Sequence, residues 1–290
     1  MEPPLAVSST QFQRFKGLCF TSIILISSFL GTIYVLIPLT PLAFFNPKLF
    51  RRIVDFLIGY WLVLPSSLVE WMFGARIQVL GDSIDPNRPS LIIMNHRTCL
   101  DWLFFWCALW RVEPKLLTTE KIVLKGEVKY LPGAEKCVDY IYDITVGYGD
   151  QIVQAETDLV LKGMCPKDVH YLIQQIPNSS LPQEDEQLEK WLMDKWAIKE
   201  QLLHNFYKER GFRRQNGWSS QFNHFQLTPK LKLLQIIIVS IWLMATSFWL
   251  YLFITLNNQI WFALIVLMSI IAIQICCNGF EMFLAIISLR

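Results

Sequence analysis

Long uncharged stretches occur near both ends of the chain, and a more polar region lies between them. Residues 18–37 form a run of 20 residues without a charge, which matches the ~20 residues that a helix needs to cross a bilayer. Arg14 and Lys16 precede this run, as basic residues do in a secretory signal peptide. The run is long for a signal peptide and no clear cleavage site of small residues follows it. We therefore predict a membrane anchor that is retained.

A second apolar stretch, residues 53–73, differs from the first because it contains Asp55, Pro65 and Glu70. Ionised carboxylates are costly in the hydrocarbon centre of a bilayer. Two tryptophans in the stretch suit the interfacial layer instead. The sequence therefore predicts an interfacial or re-entrant element here.

Two further uncharged runs, residues 233–256 and 260–277, are separated by only three polar residues. So short a turn predicts a transmembrane hairpin with both ends on one side of the membrane. Lys230 and Lys232 precede the first run, and basic residues beside a span favour the cytosolic side. We therefore predict that the polar central region is cytosolic. Asn178, which fits the glycosylation pattern Asn-x-Ser, is then predicted to be unmodified.

The central region, residues 74–229, has the pattern of a membrane-proximal α/β domain, a layered sheet with helices. Runs rich in β-branched and aromatic residues predict strands, and an apolar stripe of helical period predicts an amphipathic helix. Predicted strands span residues 76–80, 90–94, 140–148 and 169–176, and predicted helices span 102–110 and 184–210. The predicted segments are a tail (1–17), a membrane anchor (18–73), a first domain part (74–134), a second part with the amphipathic helix (135–229) and the hairpin with its tail (230–290).

Composition agrees with a membrane protein and argues against two classes of site. Apolar residues make up 53% of the chain and charged residues 17%, whereas soluble domains carry ~25% charged residues. The net charge of +2 argues against a nucleic-acid partner, which needs a strongly basic face. The seven cysteines include no CxxC pair, so we predict reduced cysteines and no metal site.

One polar turn carries the residues with the clearest chemistry. A predicted buried strand ends at Met94, and the turn Asn-His-Arg-Thr-Cys-Leu-Asp (95–101) leads from it into an apolar helix. Thr98 and Asp101 have the spacing of a capping box with Thr98 at the N-cap, which leaves His96 in the turn. Asp101 could then fix one ring nitrogen of His96, and the other nitrogen would be free to take a proton from a hydroxyl. The alternative is structural: Asp101 only caps the helix and His96 is a satisfied turn residue.

Short motifs around this turn resemble a known family. Asn95-His96-x4-Asp101 after an apolar strand resembles the first motif of the glycerolipid acyltransferases of the lysophosphatidic acid acyltransferase type. Further motifs resemble the lysocardiolipin and lysophosphatidylinositol acyltransferase branch: Asp101-Trp102, Glu120-Lys121, Leu124-Lys125, Pro132-Gly133, and Tyr142-Asp143-Ile144-Thr145-Val146 with Tyr148. The resemblance covers roughly residues 30–280.

This resemblance implies a membrane-bound enzyme that moves a fatty acyl group from acyl-coenzyme A to the free hydroxyl of a lysophospholipid. His96 would be the general base and Asp101 would orient it, with no covalent acyl-enzyme, no metal and no cofactor besides the co-substrate acyl-coenzyme A. Weaker substrate-binding candidates are Asn95, Arg97, Lys121 and Lys125. The implied location is the endoplasmic reticulum membrane, with the catalytic region facing the cytosol and the lipid bilayer as a partner.

The sequence departs from the family pattern in its centre. Between the parts matched here by Pro132-Gly133 and by Asp143, family members carry an arginine for the phosphate and a Phe-Pro-Glu-Gly-Thr block, and neither is present. This loss predicts unpaired sheet edges and a site that lacks part of its phosphate and oxyanion contacts. An alternative therefore stands beside the enzyme: a catalytically inactive truncated isoform or paralogue that acts as a non-enzymatic membrane or regulatory protein.

Overall fold

The computed structural model describes residues 9–121, 138–182, 184–212 and 223–255. These residues fall into two compact units. One unit lies within residues 1–20 and 65–232, and the other lies within residues 21–64 and 233–290. The first unit contains the polar turn, and the second contains most of the apolar helices.

The first unit is built on a five-stranded mixed sheet. Its strands are β1 (Arg76–Gly81), β2 (Ser90–Met94), β3 (Tyr140–Tyr148), β4 (Asp168–Pro177) and β5 (Asn223–Phe225). They lie in the order β2-β3-β4-β1-β5. β1 pairs in parallel with β4, and β2 pairs in parallel with β3, whereas the β3–β4 and β1–β5 pairs are antiparallel. The predicted α/β class and four predicted strands are therefore confirmed.

Helices cover both faces of this sheet because its central strands are apolar on both faces. α5 (Asp101–Val112) buries nine of its twelve residues, and its Phe104 ring lies edge-on against Tyr148 of β3. α7 (Asp185–Glu209) packs on the opposite face, where Phe206 lies over Gly147. Only glycine fits at position 147, because a Cβ there would lie 2.7 Å from the Phe206 ring. α6 (Glu156–Lys162) connects β3 to β4.

The strand pairing bears on the missing central block. β2 pairs directly with β3 over five residues, from Ser90 opposite Tyr140 to Met94 opposite Ile144. Among the described residues β2 has no partner on its other edge. The unpaired edge stays a prediction, while the sheet itself is continuous across the departure from the family pattern.

The second unit contains most of an N-terminal helical hairpin. Its outgoing arm is α1 (Gln11–Gly31), a π-helical turn (Thr32–Leu36) and α2 (Ile37–Phe45), and its returning arm is α3 (Pro47–Trp61) followed by α4 (Val63–Phe73). The indole nitrogen of Trp61 donates a hydrogen bond of 3.2 Å to the Ser27 hydroxyl, which ties the two arms together.

Three described helical segments are long and apolar enough to cross a membrane: the two arms of the hairpin and α8 (Pro229–Thr255). The run predicted over residues 18–37 is therefore helical, and so are residues 233–255 of the first run of the predicted C-terminal hairpin. The interfacial or re-entrant placement of residues 53–73 stays a prediction. The second run, residues 260–277, lies outside the described residues.

Candidate active site

The polar turn between β2 and α5 is fixed to the neighbouring strand. The side-chain amide of Asn95 donates to the Val146 carbonyl (3.0 Å) and accepts from the Val146 amide (2.8 Å). Asn95 is buried, and these two bonds extend the β2–β3 pairing beyond Met94. The next residue, His96, therefore starts from a fixed backbone position. A substrate-binding role for Asn95 itself stays a prediction.

Asp101 is the centre of the hydrogen bonds in this turn. Its side chain is 3% exposed and accepts five hydrogen bonds. One oxygen accepts from His96 Nδ1 (3.0 Å) and from the amides of Arg97 (2.6 Å) and Thr98 (3.1 Å), and the other accepts from the hydroxyls of Thr98 (3.3 Å) and Tyr148. A buried carboxylate is costly unless it is hydrogen-bonded, and here each oxygen has its donors.

His96 meets Asp101 in the predicted way but remains open to solvent. Its side chain is 75% exposed, and the Nδ1 contact with Asp101 places the ring proton on that nitrogen when the ring is neutral. Nε2 is then an acceptor, and it makes no hydrogen bond with a described residue. This arrangement offers an accessible base on a buried, rigid orienting group.

The helix start differs from the prediction. Thr98 was expected at the N-cap, but α5 begins at Asp101, with Leu100 at the N-cap and no side-chain capping bond there. Thr98 instead accepts from the Leu100 amide (3.1 Å), while Asp101 reaches back to the Thr98 amide. The reciprocal contacts of a capping box are thus partly present, but they stabilise the turn that precedes the helix.

Two tyrosines complete the site, and the turn sequence does not reveal them. The Tyr148 hydroxyl donates to Asp101, and the Tyr171 hydroxyl donates to the Asp101 backbone carbonyl (3.4 Å). Burial, followed by the negative charge of Asp101, raises the pKa of Tyr148 well above its ordinary value, so this hydroxyl stays protonated and can donate. The alternation of β3 was the available signal, since Ile144, Val146 and Tyr148 share one face of the strand.

A second histidine–aspartate pair shows what distinguishes His96. On β4, His170 Nε2 lies 3.0 Å from Asp168, but its side chain is only 5% exposed. Phe206 packs against the His170 ring, and Gln78 lies within hydrogen-bond distance of its Nε2. The contacts of His170 are those of a satisfied core histidine, whereas His96 can reach a substrate.

Two of the three predicted cationic contacts for the substrate, Arg97 and Lys121, lie among the described residues. Arg97 gives its backbone amide to Asp101 and its side chain is half-buried. Lys121 is exposed and follows Glu120, whose carboxylate accepts a 2.6 Å hydrogen bond from the Trp106 indole. That bond holds Glu120, the neighbour of Lys121, against α5. Lys125 lies outside the described residues, and no group of three potential metal ligands occurs among the residues that are described.

Comparison of the chain with known proteins identifies its family. A family model described as Acyltransferase matches residues 76–145, and one described as Acyltransferase C-terminus matches residues 159–242. Lysophosphatidylinositol acyltransferase 10 of Caenorhabditis elegans is 31% identical over 283 residues, which cover 67% of this chain and 71% of that relative. The chain belongs to the glycerolipid acyltransferase family.

Other acyltransferases of this family match over similar lengths. Lysocardiolipin acyltransferase 1 of Gallus gallus is 30% identical, with 67% of this chain and 74% of that protein covered. A probable 1-acyl-sn-glycerol-3-phosphate acyltransferase of Arabidopsis thaliana is 22% identical, with 63% and 70% covered. The Caenorhabditis elegans and Gallus gallus proteins carry the names of the branch that the motifs resemble. No solved structure matches the chain.

The same comparison supports a missing block. The match to the Caenorhabditis elegans acyltransferase is 283 residues long but covers 67% of the 290 residues here, which is about 194 residues. Roughly 89 positions of the match (283 minus 194) therefore have no counterpart in this chain. This number is large enough to include the Phe-Pro-Glu-Gly-Thr block, which the sequence lacks.

Proposed function

We propose that this acyltransferase-family chain transfers a fatty acyl group from acyl-coenzyme A to the free hydroxyl of a lysophospholipid. The observation that carries the proposal is the pair of His96 and Asp101, an exposed imidazole held by a buried carboxylate with five donors. The relatives named for lysophosphatidylinositol and lysocardiolipin support this substrate class.

The proposed reaction proceeds without a covalent enzyme intermediate. Nε2 of His96 takes the proton from the lysophospholipid hydroxyl while that oxygen attacks the thioester carbonyl carbon. The carbon–sulfur bond then breaks, and the coenzyme A thiolate leaves and receives the proton from His96. Asp101 holds the ring and stabilises the imidazolium that forms between these steps. Arg97, Lys121 and Lys125 are the proposed contacts for substrate phosphates.

The proposal includes the setting of the reaction. The three apolar helical segments support membrane association. We infer in addition that the chain crosses the membrane more than once, that a C-terminal hairpin is formed by residues 233–256 and 260–277, and that His96 faces cytosolic acyl-coenzyme A. The endoplasmic reticulum follows by analogy with the family.

The test is acyl transfer by this chain in membranes. Labelled acyl-coenzyme A is supplied with a panel of lysophospholipids, and His96→Ala is compared with the unchanged chain. Loss of a general base costs ~10²–10⁴ in rate, so we expect activity to fall to background. His204→Ala is the matched control, because His204 is an exposed histidine of α7 outside the turn, and it should retain activity.

A second candidate is favoured by the missing block. Without the Phe-Pro-Glu-Gly-Thr block the chain lacks donors that the family motifs supply, and loss of a single oxyanion donor costs ~10²–10³ in rate. A non-enzymatic membrane or regulatory role is then the alternative. Equal background activity in the unchanged chain and in His96→Ala, with both folded and inserted, would favour it.

A further inference from the structure

The turn of the N-terminal hairpin carries an exposed mixture of cations and apolar side chains. We call this surface the hairpin tip; it comprises Phe44, Phe45, Lys48, Leu49, Arg51 and Arg52. All six are exposed, and Phe45 is 87% exposed. Phe50 and Val54 of the same helix point the other way and are buried against Ala43. The hairpin tip is therefore an outward surface and not part of the packing between the arms.

The three cations of the hairpin tip lie together. Lys48, Arg51 and Arg52 are spaced i, i+3 and i+4 on α3, so they share one side of the helix. Among the described residues none of the three has a carboxylate within ion-pair distance. The nearest acid along α3 is Asp55, one negative charge against three positive ones. The surface is therefore strongly basic.

The position of these cations is unfavourable without an anion. α3 begins after Asn46, whose side chain accepts a 3.1 Å hydrogen bond from the Leu49 amide. The cations thus occupy the first two turns, next to the positive end of the helix dipole, and the first turn holds no acidic residue. Cations at this end destabilise a helix, so an external anion would relieve both the dipole and the mutual repulsion.

The length of the outgoing arm places the hairpin tip at a layer of lipid headgroups. From Leu18, where the uncharged run begins, to Phe45 the helical rise is about 42 Å. The hydrocarbon core of a bilayer is only ~30 Å thick. An arm that crosses the core therefore carries its far end into the headgroup layer.

We propose that the hairpin tip binds anionic phospholipid headgroups. Lys48, Arg51 and Arg52 contact the phosphate oxygens, for which the arginine fork is suited to two parallel hydrogen bonds. The exposed phenylalanines and Leu49 lie among the upper acyl chains. Basic residues close to a membrane surface are attracted to anionic lipids in the same way. A neutral lipid or a soluble anion satisfies only part of this surface.

The test uses the full chain in vesicles of neutral phosphatidylcholine. A trace of pyrene-labelled phosphatidylglycerol, or separately of pyrene-labelled phosphatidylcholine, is added, and energy transfer from tryptophan to pyrene reports the enrichment of each probe around the protein. The unchanged chain should enrich the anionic probe. K48Q/R51Q/R52Q should lose that enrichment, by about fivefold for each cation removed, with the neutral probe unaffected.

The control variant is K167Q/K190Q/K208Q, which removes the same charge from exposed lysines outside the hairpin and should keep the enrichment. Circular dichroism and gel filtration establish that each variant is folded, and the single variants R51Q and R52Q, each with about a fivefold loss, replace the triple variant if it does not fold. Equal enrichment in the unchanged chain and the tip variant overturns the proposal. Displacement of the anionic probe by inorganic phosphate also overturns it, because the surface would then be a site for a soluble anion.

Discussion

At the scale of single residues, Asp101 determines what His96 can do. The carboxylate cannot rotate freely, because backbone amides hold one oxygen and two hydroxyls hold the other. The ring of His96 therefore has one fixed partner and one free nitrogen, although its side chain is exposed. An exposed histidine without such a partner would sample many rotamers and tautomers.

Tyr148 is the donor whose removal tests this arrangement. Tyr148→Phe deletes a hydrogen bond to a buried carboxylate, so we expect a loss of about 1.5–3 kcal/mol in the free energy of unfolding near neutral pH. Because the pKa of Tyr148 is raised on folding, its hydroxyl contributes stability below the ordinary tyrosine pKa of ~10, and that stability is lost as the pH rises beyond it. The difference between the two chains should therefore shrink above about pH 10. Thermal unfolding of both chains in detergent at several pH values measures this difference in stability.

Tyr140→Phe is the control for this prediction. Among the described residues the Tyr140 hydroxyl accepts a hydrogen bond only from Arg88, in a solvent-exposed contact of 3.3 Å. Its removal should change the unfolding temperature little at any of these pH values. A similar loss in both variants would mean that the effect comes from β3 in general and not from Asp101.

At the scale of elements, α5 is held in place by a buried ion pair. Arg111 donates to both carboxylate oxygens of Glu70 on α4 (2.8 and 2.9 Å), and both side chains are almost fully buried. Arg111→Met leaves this carboxylate buried without its partner, so we expect a loss of about 3–5 kcal/mol in stability. Replacing both residues, as E70L/R111M, should restore much of it. Thermal unfolding of the single and double variants is the measurement.

An exposed pair on the same unit provides the matched control. Arg88 lies 3.6 Å from Asp85, and both side chains are substantially exposed. Exposed pairs contribute ~0–1 kcal/mol, so Arg88→Met should have a small effect. If Arg111→Met were equally mild, Glu70 would have another way to be satisfied, and the pair would not anchor α5.

Local sequence patterns predict the helices and strands but not the contacts between distant residues. The apolar runs of β2 and β3 predict strands, and the apolar stripe of α7 predicts a helix. These predictions succeed because the faces that an element buries determine the spacing of its apolar residues. The partner of Glu70 could not be predicted, since Arg111 is 41 positions away. The buried position of Lys199 could not be predicted either. The stripe of α7 predicts a structural helix, but this lysine is buried against Asp143 and the Ile144 carbonyl. Burial lowers the pKa of Lys199, and Asp143 opposes that shift.

At the scale of the whole chain, the sheet accommodates a large omission. Roughly 89 aligned positions are absent relative to the Caenorhabditis elegans acyltransferase, yet β2 still has a parallel partner in β3. The motifs predict the omission but not this pairing, because strand pairing depends on contacts distant in the sequence. The contact of His96 with Asp101 depends on the turn and on Tyr148 of β3, which are both present.

The orientation of the chain gives the last prediction. The first unit carries both the polar turn and Asn178, which lies in an Asn-Ser-Ser sequence at the exposed end of β4. If His96 meets cytosolic acyl-coenzyme A, Asn178 is on the cytosolic side and receives no glycan. In mammalian cells the chain should then migrate identically on a gel with and without treatment by a glycosidase, and identically to Asn178→Gln. A secreted glycoprotein from the same cells controls for glycosidase activity. A mobility shift that disappears in Asn178→Gln would place this unit in the lumen and separate His96 from the proposed acyl donor.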